Sequence, residues 1–235
     1  MPKIIIQRFG IGDVIHQMTA IRSLKDKILW PVLSEYVEGL NRAYPDIMFV
    51  DYQKFDLNYN IKERGRVNGF EILPMAWQDS PLKNCMDNKY RYLGRDPKTW
   101  KDNAHWCRDS KKEVELFNKL GLTFDEPFNL VNVKFGCWKG HNDLKPGINS
   151  ITEPVINNGL RNVEMTIMPE FSIFDWTLVI QKATFIFTVS SSHIYLFELL
   201  KMEAKEIHIY IRRPNESSHE NYAYLLQSHN YILEP

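Results

Sequence analysis

The first residues of the chain constrain its fold more than any other stretch. A short apolar run from Lys3 to Ile6 is rich in β-branched residues and stops at a turn that contains Gly10 and Gly12. Apolar residues then recur at helical spacing up to Leu24. This pattern predicts a strand, a tight turn and a helix.

Asp13 lies at the predicted start of that helix. Ligands of open α/β sheets gather at the carboxyl ends of the strands, where a helix start also directs unpaired N–H groups outward. An ionised carboxylate is stabilised there by the helix dipole, so Asp13 either caps the helix or acts on a ligand. The turn matches neither a P-loop nor Gly-x-Gly-x-x-Gly. Two common nucleotide fingerprints are therefore absent from this turn.

Composition excludes several classes of protein. Lysine plus arginine and aspartate plus glutamate each number 29, so the net charge gives no general reason to expect a nucleic-acid partner. No apolar run approaches the length of a membrane span and no signal peptide is recognisable, so we expect a cytoplasmic protein. The cysteines fit reduced thiols and show no zinc spacing, so no metal site is expected; they are Cys85, Cys107 and Cys137.

Strands alternate with helices along most of the chain, which predicts an α/β fold with parallel sheets. An amphipathic helix over 111–120 is followed by a linker near 124–128. We therefore predict two small α/β domains, residues 1–125 and 126–235. The segment 84–108 mixes aromatic and basic residues. It either binds a sugar or a base by stacking, or it connects secondary-structure elements while its aromatic side chains pack on the core.

A second turn repeats the geometry of the first. The apolar strand that ends at Val189 is followed by Ser190, Ser191 and Ser192, whose hydroxyl and N–H groups either cap the next helix or bind a phosphate. Arg212 and Arg213 follow the neighbouring strand, where guanidinium groups would offset the charge of a diphosphate. His193 opens the helix and either donates to the diphosphate or packs against the core.

The stretch Gly12-Asp13-Val14-Ile15-His16, with Ala20-Ile21-Arg22-Ser23-Leu24, resembles the opening of the bacterial lipopolysaccharide heptosyltransferases. The order of strands and helices from Val163 to Pro214 also follows that family. The chain departs from the family at the second turn, where Ser190–Ser192 replace Asp-Thr-Gly and Tyr195 replaces a histidine. No secure match covers residues 51–160. The resemblance implies two Rossmann-like domains that face each other across a cleft, the GT-B architecture.

The resemblance also implies a chemistry: an inverting transfer of a sugar from a nucleotide diphosphate sugar to an acceptor hydroxyl, with no metal or other cofactor. Asp13 falls on the catalytic base of the family. The serine turn, His193 and Arg212 or Arg213 would hold the donor diphosphate. Glu198 lies two turns into the following helix, where helical direction permits, but does not favour, a hydrogen bond from a ribose hydroxyl. The acceptor side of the cleft would be formed by Arg8, Gly10, Gly12 and His16.

The expected acceptor is a surface glycan. Two alternatives stay open. One is a phage-type glycosyltransferase that acts on a hydroxylated base in DNA, and the other is a non-catalytic protein that binds a nucleotide or a glycan.

Overall fold

The computed structural model describes residues 1–7, 10–54, 65–75, 85–137, 147–212 and 225–234, apart from the side chains of 85, 86, 137, 147 and 148. The chain divides into two compact units, Met1–Arg108 and Asp109–Pro235. Among the described residues, no helix is both long and apolar enough to cross a membrane.

The first unit contains a sheet in which the strands lie in the order β3-β2-β1-β5-β4. All neighbouring strands are parallel except β4 and β5, which pair antiparallel. Its strands are β1 (Lys3–Ile6), β2 (Ile28–Val32), β3 (Met48–Asp51), β4 (Arg66–Val67) and β5 (Phe70–Pro74). Its helices are α1 (Ile11–Arg22), α2 (Ser34–Ala43) and α3 (Cys85–Tyr92), with short 3₁₀ turns at Tyr52–Lys54 and Pro97–Thr99.

The predicted strand and helix at the opening of the chain are confirmed: β1 is the central strand, and α1 follows it along the chain. Its isoleucines are at most 1% exposed, as expected for a parallel strand covered on both faces. Ile4 lies in register with Leu29 on one side and with Ile72 on the other, and these residues belong to one apolar cluster. Because β2 and β3 lie on one side of β1 and β5 lies on the other, the strand order reverses between β1 and β5.

The second unit contains a fully parallel sheet in the order β12-β11-β10-β6-β9. Its strand order reverses between β6 and β10. The strands are β6 (Phe128–Asn132), β9 (Arg161–Glu164), β10 (Phe185–Val189), β11 (Glu206–Tyr210) and β12 (Tyr231–Glu234). A separate antiparallel pair is formed by β7 (Lys134–Cys137) and β8 (Gly147–Ser150). The helices are α4 (Ser110–Lys119), α5 (Thr177–Lys182) and α6 (His193–Leu199), with a 3₁₀ turn at Ile173–Trp176 before α5.

The boundary between the units lies before α4, whereas the sequence pattern places it near residue 125. The Asp109 side chain caps α4 by accepting a hydrogen bond of 3.1 Å from the Lys112 N–H. Phe117 of α4 then packs edge-on against Phe128 of β6, with ring centroids 6.5 Å apart. The helix therefore belongs to the core of the second unit.

The spacing of Ser172 and Asp175 is that of a capping box and predicts a helix start, which the structure confirms. Ser172 and Asp175 form a capping box, in which the Ser172 N–H donates to Asp175 Oδ2 over 2.7 Å. The backbone N–H groups of the N-cap and N3 residues are thus bound by the side chains of the capping box.

Candidate functional site

Each unit has one place where an α/β sheet is expected to bind a ligand. Such sites lie outside the carboxyl ends of the strands, at the point where the strand order reverses. That point is between β1 and β5 in the first unit and between β6 and β10 in the second. The predicted site residues follow β1, β10 or its neighbour β11.

Asp13 lies in the first turn of α1, directly after the carboxyl end of β1. Its N–H donates to the carbonyl of Gly10 over 2.9 Å, and Gly10 has a φ of +75°. A Cβ at position 10 would overlap Asp13 Oδ2, so the carboxylate folds back over this glycine. The Asp13 side chain is 25% exposed. A ligand at this edge of the sheet can therefore reach it.

Lys89 of α3 is the partner of Asp13. Its ammonium pairs with Asp13 Oδ1, and its side chain is only 3% exposed. Sequence reasoning grouped Lys89 with the basic residues of the segment 84–108 and gave it no role at Asp13. Its partner lies 76 residues away, so no local pattern marks the pair.

Two buried glutamines fix the start of α1 against the end of β1. Gln17 Nε2 donates to Gln7 Oε1 over 2.7 Å and to the carbonyl of Asp13 over 2.8 Å. The indole N–H of Trp30 donates to the carbonyl of Gln7 over 2.8 Å. This network holds the backbone of Asp13 in place.

The structure corrects the predicted acceptor contact of His16. Its imidazole is fully buried and lies 5.2 Å from the ring centroids of both Tyr90 and Trp100. Burial lowers the pKa of His16 to about 3, and the charge of Lys89 acts in the same direction. A neutral, buried ring cannot touch an acceptor, so His16 serves the packing of α1 against α3.

The other residues predicted for the acceptor side differ in exposure. Gly10 is exposed at the turn, whereas Gly12 is buried inside α1. The structure therefore gives Gly12 a packing position rather than a cleft position. Arg8 lies outside the described residues.

In the second unit, Asn132 joins the ends of β6 and β10. Its Nδ2 atom lies 3.1 Å from Thr188 Oγ1, 3.2 Å from Ser191 Oγ and 3.2 Å from His193 Nδ1. Sequence reasoning missed Asn132, because an asparagine at the end of an apolar strand has no distinctive local signal. The parallel pairing of β6 with β10 is what brings it to the serine turn.

His193 is contacted at one ring nitrogen by two neighbours. Its Nδ1 lies 3.2 Å from the Asn132 Nδ2 atom and 2.9 Å from the Ser191 hydroxyl oxygen. Desolvation of the ring lowers the pKa of His193 to about 4, while the residue as a whole is partly exposed. Nε2 has no hydrogen-bond partner among the described residues, so it is the ring nitrogen that His193 can offer to a ligand.

The serines of this turn do not cap α6 with their side chains. Ser192 occupies the N-cap position without a side-chain hydrogen bond to the helix. The Ser190 N–H donates to the carbonyl of Tyr210 over 2.9 Å, while its buried Oγ has no hydrogen-bond partner in the part of the chain that the structure describes. The sequence allows this turn either to cap α6 or to bind a phosphate, and Ser192 does not support capping. The Ser190 hydroxyl stays available for another partner.

Arg212 follows β11, the neighbour of β10. Its guanidinium lies over the ring of Phe135, 5.9 Å from the centroid, and the residue is partly exposed. Phe135 belongs to β7, just beyond the end of β6. Arg212 is therefore at the same edge of the sheet as Asn132 and the serine turn, whereas Arg213 lies outside the described residues.

Glu198 does not face a ligand. Its buried carboxylate accepts hydrogen bonds from the N–H groups of Gln227 and Ser228, at 3.0 and 3.1 Å, and from the hydroxyls of Ser228 and Tyr231, at 2.8 and 2.6 Å. The ribose contact that helical direction permits is therefore wrong for this arrangement. Glu198 instead holds the segment that leads into β12.

Three aromatic residues of the segment 84–108 follow the second of its two interpretations, whereas Tyr92 is 36% exposed. The three lie in the core: Tyr90, Trp100 and Trp106 are at most 9% exposed. These rings are not available to stack on a sugar or a base. Over the described ranges, no group of three or more His, Cys, Asp or Glu side chains could hold a metal ion.

No family model matches the sequence, and no curated protein matches it significantly. The structure resembles TibC of enterotoxigenic E. coli, a dodecameric iron-containing heptosyltransferase solved in complex with ADP-D-β-D-heptose, with a TM-score of 0.53 and 11% identity. The match covers all of this chain and 62% of that one. A glycosyl transferase of family 9 from Veillonella parvula matches with a TM-score of 0.53 and 9% identity, over 99% of this chain and 86% of that one. The chain thus has the α/β, Rossmann-like fold of these glycosyltransferases and spans less than two thirds of the TibC chain.

Proposed function

We propose that the protein is an inverting glycosyltransferase that moves a sugar from a nucleotide diphosphate sugar to an acceptor hydroxyl. The observation that carries the proposal is the position of Asp13, a reachable carboxylate at the reversal point of the first sheet. The fold shared with two glycosyltransferases over nearly the whole chain supports it. The proposal includes a GT-B arrangement, with the first unit on the acceptor side and the second on the donor side.

Asp13 acts as the general base. As the acceptor oxygen attacks the anomeric carbon, the Asp13 carboxylate takes the hydroxyl proton and the bond between that carbon and the diphosphate oxygen breaks. The products are the glycosylated acceptor and a nucleoside diphosphate. A single displacement of this kind inverts the anomeric configuration.

The leaving diphosphate gains negative charge and needs donors that are already in place. In the second unit these are the serine turn, Nε2 of His193 and the guanidinium of Arg212, with Arg213 as a further candidate. TibC was solved with ADP-D-β-D-heptose, and we extend to this chain only the class of donor, a nucleotide diphosphate sugar. The Asn132 amide and the Ser191 hydroxyl hold the His193 ring at Nδ1 and leave Nε2 for the diphosphate.

The proposed reaction uses no metal or other cofactor, although TibC is described as iron-containing. The proposed acceptor is a glycan. A hydroxylated DNA base as acceptor and a binding protein without turnover are the two outcomes that the experiment has to separate.

The experiment is a panel of nucleoside diphosphates and nucleotide sugars, read first by thermal shift and then by release of nucleoside diphosphate. A ligand at about 100 times its Kd stabilises the folded state by about 2.7 kcal/mol, so we expect one nucleotide to raise the Tm clearly. His193→Ala should weaken that shift, whereas His105→Ala, an exposed histidine of the first unit, should not. The absence of any shift across the panel contradicts the proposal.

The acceptor arm follows once the donor is known. Release that depends on added glycan supports the proposed acceptor, and release that depends on DNA and weakens with salt supports the alternative acceptor. Binding of the donor without release under any condition supports the binding protein.

A further inference from the structure

The two oxygens of the Asp13 carboxylate have different surroundings. Oδ1 pairs with the Lys89 ammonium. Oδ2 lies over Gly10, and no described residue donates a hydrogen bond to it. One oxygen is thus bound to Lys89, and the other has no hydrogen-bond donor within the part of the chain that the structure describes.

Lys89 is held firmly enough to fix Oδ1. Its side chain is 3% exposed, and separating a buried ammonium from a paired carboxylate is costly. The next residue, Tyr90, ties α3 to α1 by donating its hydroxyl proton to the carbonyl of His16 over 2.6 Å. The ring of His16 packs between Tyr90 and Trp100. Lys89 therefore approaches Asp13 from a helix that cannot easily move away.

Gly10 leaves the space in which Oδ2 lies. Its φ of +75° is a conformation that a residue with a Cβ adopts only with strain. A Cβ at this position would also displace Oδ2, because Oδ1 is held on the other side by Lys89. Gly10 and Lys89 thus restrict the carboxylate from both sides.

We propose that Lys89 is a positioning residue, which holds Asp13 through Oδ1 so that Oδ2, seated against Gly10, takes the proton of the acceptor hydroxyl. This inference rests on the proposed function. The proton moves from the acceptor oxygen to Oδ2, the new glycosidic bond forms, and the bond to the diphosphate breaks. Fixing the base in one orientation before the acceptor arrives is what preorganisation requires.

The test compares Lys89→Met, Lys89→Arg and Arg91→Met in the full chain, with kcat and the donor KM measured on the folded fraction of each. Arg91 is an exposed residue of the same helix and is the matched control. A displaced base affects the chemical step, so we expect Lys89→Met to lower kcat by about tenfold to a hundredfold at an unchanged donor KM. Lys89→Arg should recover part of kcat, and Arg91→Met should match the wild type.

Gly10→Ala tests the other side of the carboxylate and keeps both side chains of the buried ion pair, so it provides a second test where Lys89→Met fails to fold. It should lower kcat while the donor KM stays unchanged. Wild-type kcat in folded Lys89→Met or in Gly10→Ala overturns the role of Lys89 and Gly10 and leaves the proposed function standing. A wild type that releases no nucleoside diphosphate from any donor contradicts the proposed function itself.

Discussion

Replacing Asp13 by asparagine should destabilise the protein, because it removes the charge that balances a buried lysine. Breaking a buried ion pair from one side costs about 3–5 kcal/mol. Asp13 is 25% exposed, and the asparagine oxygen still accepts a hydrogen bond, so part of that cost is offset. We expect a loss of about 2–3 kcal/mol in the free energy of unfolding, or about 4–12 °C in Tm for a chain of this length.

A double-mutant cycle separates this effect from a general loss of packing. Lys89→Met keeps most of the buried aliphatic volume and removes the charge that needs a partner. The double variant Asp13→Asn/Lys89→Met should therefore be more stable than Asp13→Asn alone, with a coupling energy of about 2 kcal/mol. Urea unfolding followed by circular dichroism measures all four corners of the cycle.

The control is an ion pair on the surface. Lys134 and Glu164 form an ion pair, and their own side chains are 48% and 44% exposed. Glu164→Gln should therefore lower the free energy of unfolding by well under about 1 kcal/mol. If Asp13→Asn costs no more than Glu164→Gln and shows no coupling to Lys89, then Lys89 does not depend on Asp13 and the reasoning fails.

Three further predictions concern acid stability, the C-terminal segment and metals. The pKa of His16 is about 3 in the folded protein and about 6.5 in the unfolded chain, so the unfolded chain binds a proton at a higher pH than the folded protein does. The free energy of unfolding should therefore be highest above about pH 6.5 and fall as the pH drops toward 3. His16→Phe, which keeps a ring between Tyr90 and Trp100, should flatten that fall in urea titrations, and an unchanged slope would show that His16 is not its source. Glu198→Gln should speed hydrogen exchange at the Ser228 amide while exchange in β1 stays the same; equal protection in both proteins would contradict the contact network of Glu198. Transfer should persist after dialysis against EDTA, and loss of activity that iron restores would contradict the metal-independent proposal.

Local patterns were sufficient to predict the parts of the fold that are local in origin. The isoleucine run, the glycine turn and the apolar spacing of α1 predict the first βα unit, and Ser172 with Asp175 predicts a helix start. The same reasoning placed Asp13 and the serine turn at the carboxyl ends of strands. Each of these features is decided by residues within one or two turns of each other.

Contacts between residues that are far apart in the chain could not be predicted from local sequence patterns. Lys89 meets Asp13 only because α3 packs on α1, and Asn132 meets His193 only because β6 pairs with β10. His16 is expected on the acceptor side because it flanks Asp13 in the sequence, but the rings contributed by α3 and its following turn bury it. The apolar face of α4 likewise does not show which unit it will pack against.

The central claim is that Asp13 is the base of a glycosyl transfer. The most direct measurement is the rate of nucleoside diphosphate release and acceptor glycosylation by the wild type and by Asp13→Asn/Lys89→Met. This variant removes both the proposed base and the ammonium that pairs with it. We expect both proteins to bind the donor with the same thermal shift, and the variant to transfer about 10²–10⁴ times more slowly. A folded variant that binds the donor and transfers at the wild-type rate would contradict the assignment of Asp13.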